Sequence, residues 1–201
     1  MAHNPLRQSP LAHLGLIARA GQGADDAGII LTEAPFTDHI GLRGDGADTA
    51  FAGAVEKALG FALPISPNTV TGKAKKTALW LGPDEWLIVV PFGAADKLIA
   101  ALGKALTDVH SAVFDVSDSR TVISLSGANA RHVLAKGCGL DLHPRTFGPG
   151  SCAQSTLALA HILIHQTDTA YRLYIHRSFA EYLWAWLEDA GAEFGVSIST
   201  P

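Results

Sequence analysis

In residues 77–90, Thr77-Ala78-Leu79-Trp80-Leu81-Gly82-Pro83-Asp84-Glu85-Trp86-Leu87-Ile88-Val89-Val90, two apolar runs meet at a polar tetrad. The runs 77–81 and 86–90 are rich in β-branched and aromatic residues. Gly82-Pro83-Asp84-Glu85 joins three residues of strong turn preference to a charge, so the stretch reads as a β-hairpin. A helix follows over 94–106, with Leu98, Leu102, Ala105 and Leu106 as its inward stripe. Upstream, residues 64–76 are rich in Pro, Asn, Thr, Gly and Lys and read as a surface loop.

The same rhythm extends in both directions. Residues 29–32 and 39–43 read as strands, followed by a helix that Asp48 caps. Phe51, Val55, Ala58 and Leu59 share one helical face, and Gly60 supplies the left-handed residue that ends the helix. Downstream, 112–116 and 121–125 pair around Ser117-Asp118-Ser119-Arg120, and a helix runs from the Ser126-Gly127 junction to Gly137. After a Pro/Gly-rich connection over 140–150, residues 156–166 are apolar at alternate positions on both faces, as in a buried strand or a tightly turned strand pair. Residues 171–176 lead into Ser178-Phe179-Ala180-Glu181, a capping box that opens a last helix. Its expected buried face is Phe179, Leu183, Trp186, Leu187 and Ala190, with Gly191 as its stop. Strand pairs alternating with helices predict an α+β fold: a mainly antiparallel sheet of repeated ββα units with helices on one side. Residues 1–27, with scattered Pro and Gly, read as an irregular arm, and 28–201 as a single compact α+β domain with any division into two subdomains near 110.

Composition narrows the function. Of 201 residues 48% are hydrophobic and 17% charged, against about 25% charged in an ordinary domain, so a packed core is expected and disorder is not. The formal net charge of −4 provides no overall positive field for nucleic acid or anionic lipid. Arg7, His13 and Arg19 interrupt the apolar stretch of residues 1–20, and no apolar run approaches the ~20 residues of a membrane span. A cytoplasmic protein is the expectation.

Motifs for chemistry are sparse. His161-x-x-x-His165 has a zinc-like spacing on a helix, but Leu157, Leu159, His161, Leu163 and His165 alternate as in a strand, with no third ligand nearby in sequence. Gly44-x-Gly46 lacks a third glycine, and Pro67 stands where a phosphate loop ending in Gly72-Lys73 needs its first. Lys73, Lys75 and Lys76 read as a solvated loop, with contact to an anion or acidic partner as the alternative. Cys138 or Cys152 with His132 or His143, and Ser117 or Ser119 with Asp115 or Asp118, have the residue types of nucleophilic sites. Turn chemistry alone accounts for Ser117-Asp118-Ser119. Cys138 and Cys152 are expected to be buried thiols, and no catalytic, cofactor-binding or metal-binding residue is assigned. Trp184 lies off the expected stripe, toward Glu181 and Glu188. It is expected either to cap the edge of the core or to anchor a partner subunit, and is the one candidate interface residue.

Several stretches carry a family resemblance in order along nearly the whole chain. They are Ala34-Pro35-Phe36-Thr37 with Gly41-Leu42-Arg43-Gly44-Asp45, the 78–87 hairpin, Asp115-Val116-Ser117-Asp118-Ser119-Arg120, Gly137-Cys138-Gly139-Leu140-Asp141-Leu142-His143-Pro144-Arg145, and Arg177-Ser178-Phe179-Ala180. Together they resemble the gamma subunits of heterotetrameric sarcosine oxidase. The hairpin is shared with the wider aminomethyltransferase-like, folate-binding-domain fold, whereas the Leu-Asp-Leu-His-Pro-Arg stretch points to the gamma subunit. The resemblance implies one member of an αβγδ complex that demethylates sarcosine to glycine, forms hydrogen peroxide, and passes the one-carbon unit to tetrahydrofolate as 5,10-methylenetetrahydrofolate. It further implies that FAD, FMN, NAD and zinc belong to other subunits and that this chain serves assembly. The rival expectations are a folate-dependent aminomethyltransferase and a free-standing binding module of the same fold.

Overall fold

The strands of the chain divide between two sheets rather than one. The computed structural model describes residues 8–21, 23 and 26–200. In chain order the elements are α1 (Leu16–Arg19), β1 (Ile29–Ala34), β2 (Asp38–Gly44), α2 (Thr49–Leu59), β3 (Val70–Lys73), β4 (Lys76–Gly82), β5 (Glu85–Val90) and α3 (Ala95–Ala105). They continue with β6 (Ser111–Asp115), β7 (Arg120–Ser126), α4 (Ala130–Ala135), β8 (Cys152–Leu157), β9 (Ala160–Gln166), β10 (Tyr171–His176), α5 (Ala180–Gly191) and β11 (Val196–Ser199). One sheet has the order β11-β1-β7-β10-β9-β8 and the other β3-β4-β5-β2-β6. Every pairing is antiparallel except β1 with β11.

Alternation along the strands explains the layering. Trp86, Ile88 and Val90 of β5 pack with Phe51, Val55 and Leu59 of α2 and Leu98 and Leu102 of α3. Leu87 and Val89, one residue out of phase, point the other way and meet Val122, Leu163 and Tyr174 of the six-stranded sheet. On the far face of that sheet, Ile123, Leu125, Ile164, Leu173 and Ile175 pack with Val133 and Leu134 of α4 and Leu183 and Leu187 of α5. The layers are therefore helix, sheet, sheet, helix, and each strand residue is assigned its layer by parity. Each fully buried Leu, Ile or Phe in these layers contributes roughly 1.5–3 kcal/mol.

The α+β class and the dominance of antiparallel pairing are as expected, and so is the 77–90 hairpin. Asp48 caps α2 through a 2.8 Å bond from the Ala50 amide, and Gly60 ends it at φ 87°. Other expectations are corrected. Residues 112–116 and 121–125 do not pair with each other: β6 lies beside β2 in one sheet and β7 between β1 and β10 in the other. β1 and β2 are divided in the same way. Within the expected loop, residues 70–73 form β3, because the chain folds back at Ala74 (φ 57°) to pair with β4. Residues 156–166 are a tight strand pair whose first strand begins earlier, at Cys152, with Ala158 (φ 52°) in the turn.

The last helix is rotated from its expected phase. A 3-10 turn over Arg177–Phe179 precedes it, no side chain caps it, and its buried face is Ala180, Leu183, Trp184, Leu187, Ala190 and Gly191. Phe179 is left 42% exposed, and Gly191 has φ −87°; the left-handed turn comes later, at Gly195 (φ 74°). The sequence before β1 accounts for this phase. Leu11 is fully buried in the same core, His13 Nε2 reaches Glu181 Oε1 at 3.4 Å, and Arg19 bonds Glu188. Because Glu181, Trp184 and Glu188 share one flank of α5, an arm that bridges the two glutamates covers the tryptophan between them. Residues 1–7, 22, 24 and 25 of the arm lie outside the described residues.

Candidate functional site

The face of the six-stranded sheet that meets the five-stranded sheet is apolar only along its middle. Strand register places Gln154, Leu163, Tyr174, Val122 and Ala34 in one row across the strands. The other sheet packs on this row: Leu87 and Val89 belong to its cluster, and the His39 ring meets the Tyr174 ring edge-on with centroids 5.7 Å apart. Burial pushes the Tyr174 hydroxyl up to about 12. Two residues along each strand lies the row Cys152, His165, Arg172, Ser124 and Thr32. Beyond the opposite side of the middle row stand His161, His176 and Arg120.

Clefts open where the middle row stops. On one side, Leu81, Arg120, Gln154, His161, Tyr174 and His176 wall a cavity of 510 Å³. Burial pulls the Arg120 guanidinium below its usual value, opposed by Glu85 across the sheets. On the other side a cavity of 460 Å³ is walled by Lys75, Thr77, His165, Thr167 and Arg172, with Val89, Val90 and Pro91 as its apolar surface. Desolvation and the neighbouring Arg172 hold the His165 imidazole down at about 4, so it is neutral near pH 7.

The residues singled out from sequence are dispersed by the fold. His161 and His165 do lie on the same strand face, but the Leu163 side chain separates them and they line different clefts. Among the described residues no three of His, Cys, Asp and Glu come together as a metal set. Cys152 is buried as expected, with Sγ 3.4 Å from the Thr69 carbonyl oxygen, and burial pushes its thiol up to about 11, which suppresses the thiolate. Cys138 is also buried, 3.7 Å from Ser155 Oγ, whereas His132 and His143 are exposed. Ser117 Oγ donates to Asp115 Oδ1 (2.5 Å) and accepts from the His39 amide (3.0 Å), so this pair fastens a turn to β2. The space a phosphate would need at Gly44 and Gly46 is taken by the rings of Phe51 and Trp86. Lys76 Nζ donates to the Leu59 carbonyl, while Lys73 and Lys75 stay exposed.

Of the two expectations for Trp184, the partner anchor is corrected: the side chain is fully buried in the core cluster and offers no surface to a partner. Large apolar side chains are exposed elsewhere. Leu159, 78% exposed in the β8–β9 turn, lies beside Tyr182, whose hydroxyl accepts from its amide at 3.3 Å, and Phe36 and Phe92 pair at 6.1 Å. Two buried carboxylates escaped the sequence reading. Asp38 accepts from the amides of Ala94 and Ala95 (2.9 and 3.0 Å) and so caps α3 from β2, 56 residues away, beyond any local capping pattern. Glu33 accepts from Ser9 and Thr121, tying the arm to β1 and β7.

Known proteins share this architecture and much of the sequence. The family model described as "Sarcosine oxidase, gamma subunit family" matches residues 43–193. The sarcosine oxidase subunit gamma of Corynebacterium sp. (strain U-96) is 38% identical over 194 residues, spanning 96% of this chain and 93% of its own length. A chain of the solved heterotetrameric sarcosine oxidase from Corynebacterium sp. U-96 superposes with a TM-score of 0.85 at 36% identity, covering 94% of this chain and 96% of that one. The glycine cleavage system aminomethyltransferase T from Bartonella henselae superposes at 0.69 with 17% identity, over 96% of this chain and 59% of its own, which establishes the aminomethyltransferase-like fold alone. With sequence, length and fold in agreement, the chain belongs to the sarcosine oxidase gamma subunit family.

Proposed function

We propose that this chain is the non-catalytic gamma subunit of a cytoplasmic heterotetrameric sarcosine oxidase and that its work is assembly. The observation that carries the reading is mutual coverage: the chain and its counterpart in the solved heterotetramer match over 94% and 96% of their lengths. The partners are the alpha, beta and delta chains, which carry FAD, FMN, NAD and zinc and deliver the one-carbon unit to tetrahydrofolate. The dispersal of nucleophile and base candidates supports this division of labour, because the Cys152 thiol and Ser117 hydroxyl are held by structural bonds within the fold. Leu159 with Tyr182, and Phe36 with Phe92, supply apolar contact points for the neighbouring chains. An aminomethyltransferase is the weaker reading, since the chain spans 59% of the aligned transferase.

The test separates the chain from its complex. Purified alone, it is expected to lack flavin absorbance and sarcosine turnover, and to join the flavin-containing chains on co-expression. Turnover by the lone chain, or folate binding to it at about micromolar Kd, overturns the assignment.

A further inference from the structure

We propose that the cleft walled by Lys75, Thr77, His165, Thr167 and Arg172 is a binding site for a small organic carboxylate. Its position and chemistry carry the inference. Lys75 comes from the β3–β4 turn of one sheet, and His165 and Arg172 are cross-strand partners in the other, so the positive groups converge on the gap from both sheets. In a chain of net charge −4, the wall contains no Asp or Glu. Among the described residues, no ion pair engages Lys75 or Arg172.

His165 is the second, independent mark of a site. It lines the cavity while only 7% exposed, and the strand register sets it directly beside Arg172. Its neutral imidazole can donate to a carboxylate oxygen, leaving the charge contacts to the Arg172 fork and the Lys75 ammonium. Thr77 adds a hydroxyl at the wall, whereas the Thr167 hydroxyl is held by the Ala170 carbonyl and amide.

The walls indicate an organic body as well as an anion. The cleft shares Thr37, Val89 and Arg172 with a second cavity of 290 Å³ walled by Ala34, Val122 and Tyr174. Arg172 thus stands between two chambers whose surfaces are both more apolar than polar, a placement that suits a carboxylate with a hydrocarbon or aromatic substituent. Ala74 holds φ 57° without being glycine, in the turn that carries Lys75 to the rim.

Titration calorimetry on the full chain, with benzoate as probe and benzamide and inorganic phosphate as controls, tests the proposal. Benzoate is expected to bind with a Kd of about 1 mM or tighter, and benzamide and phosphate each at least about tenfold more weakly. Arg172→Gln should weaken benzoate about tenfold and Lys75→Gln about threefold, with circular dichroism unchanged, while Lys73→Gln outside the wall has no effect. Benzamide or phosphate binding as well as benzoate, no benzoate heat up to about 20 mM, or equal losses from Lys73→Gln and Arg172→Gln overturns it.

Discussion

Two short polar connectors in this chain do opposite things. Gly82-Pro83-Asp84-Glu85 folds β5 back onto β4, with Trp80 opposite Trp86. Val116-Ser117-Asp118-Ser119 carries the chain from β6 in one sheet to β7 in the other. Backbone bonds record the transfer. The Val116 amide still bonds to His39 of β2, and three residues later the Ser119 carbonyl accepts from Arg177, just beyond β10. The strands on either side differ accordingly: β6 is an edge strand with exposed Ala112, Phe114 and Asp115, whereas Thr121, Val122, Ile123 and Leu125 of β7 are buried. Turn chemistry determines where the chain reverses. Burial of the strand that follows determines which partner it takes.

Substitutions on the two sides of the 116–119 connector sharpen this contrast. Ile123→Ala in fully buried β7 should lower unfolding free energy by about 4 kcal/mol, and Val113→Ala in half-buried β6 by about 1 kcal/mol, read from urea titration of the full chain. Equal losses would contradict the division between a central and an edge strand. At the connector itself, Ser117→Ala leaves the His39 amide without its side-chain acceptor and should cost about 1–2 kcal/mol, with slower hydrogen exchange at that amide lost. In the hairpin, Pro83→Ala should cost about 0.5 kcal/mol, because it relaxes the unfolded chain without removing a packed contact. A larger loss at Pro83 than at Ser117 reverses the account of the two connectors.

The same contrast shows what was legible in the residues. Periodicity sufficed where one element decides its own structure: the 77–90 hairpin and the Asp48-to-Gly60 helix. It failed where distant segments decide. Trp184 reads as wet on a helical wheel because the pattern does not include Leu11, His13 and Arg19, which come from 165 or more residues upstream to close that flank. Asp38 shows no capping signature because the helix it caps starts 57 residues later. The cleft at Arg172 was legible only as a lysine cluster, since Lys75, His165 and Arg172 meet through sheet packing rather than through sequence spacing.

The central claim is that the chain acts as an assembled subunit without chemistry of its own. Native mass spectrometry after co-expression with the three other oxidase chains tests it most directly. The account predicts one copy of this chain in an assembly with all three, and loss of that assembly when Leu159 and Tyr182 are both replaced by serine. An oxidase that forms and oxidises sarcosine fully without this chain, leaving it free in solution, contradicts the claim.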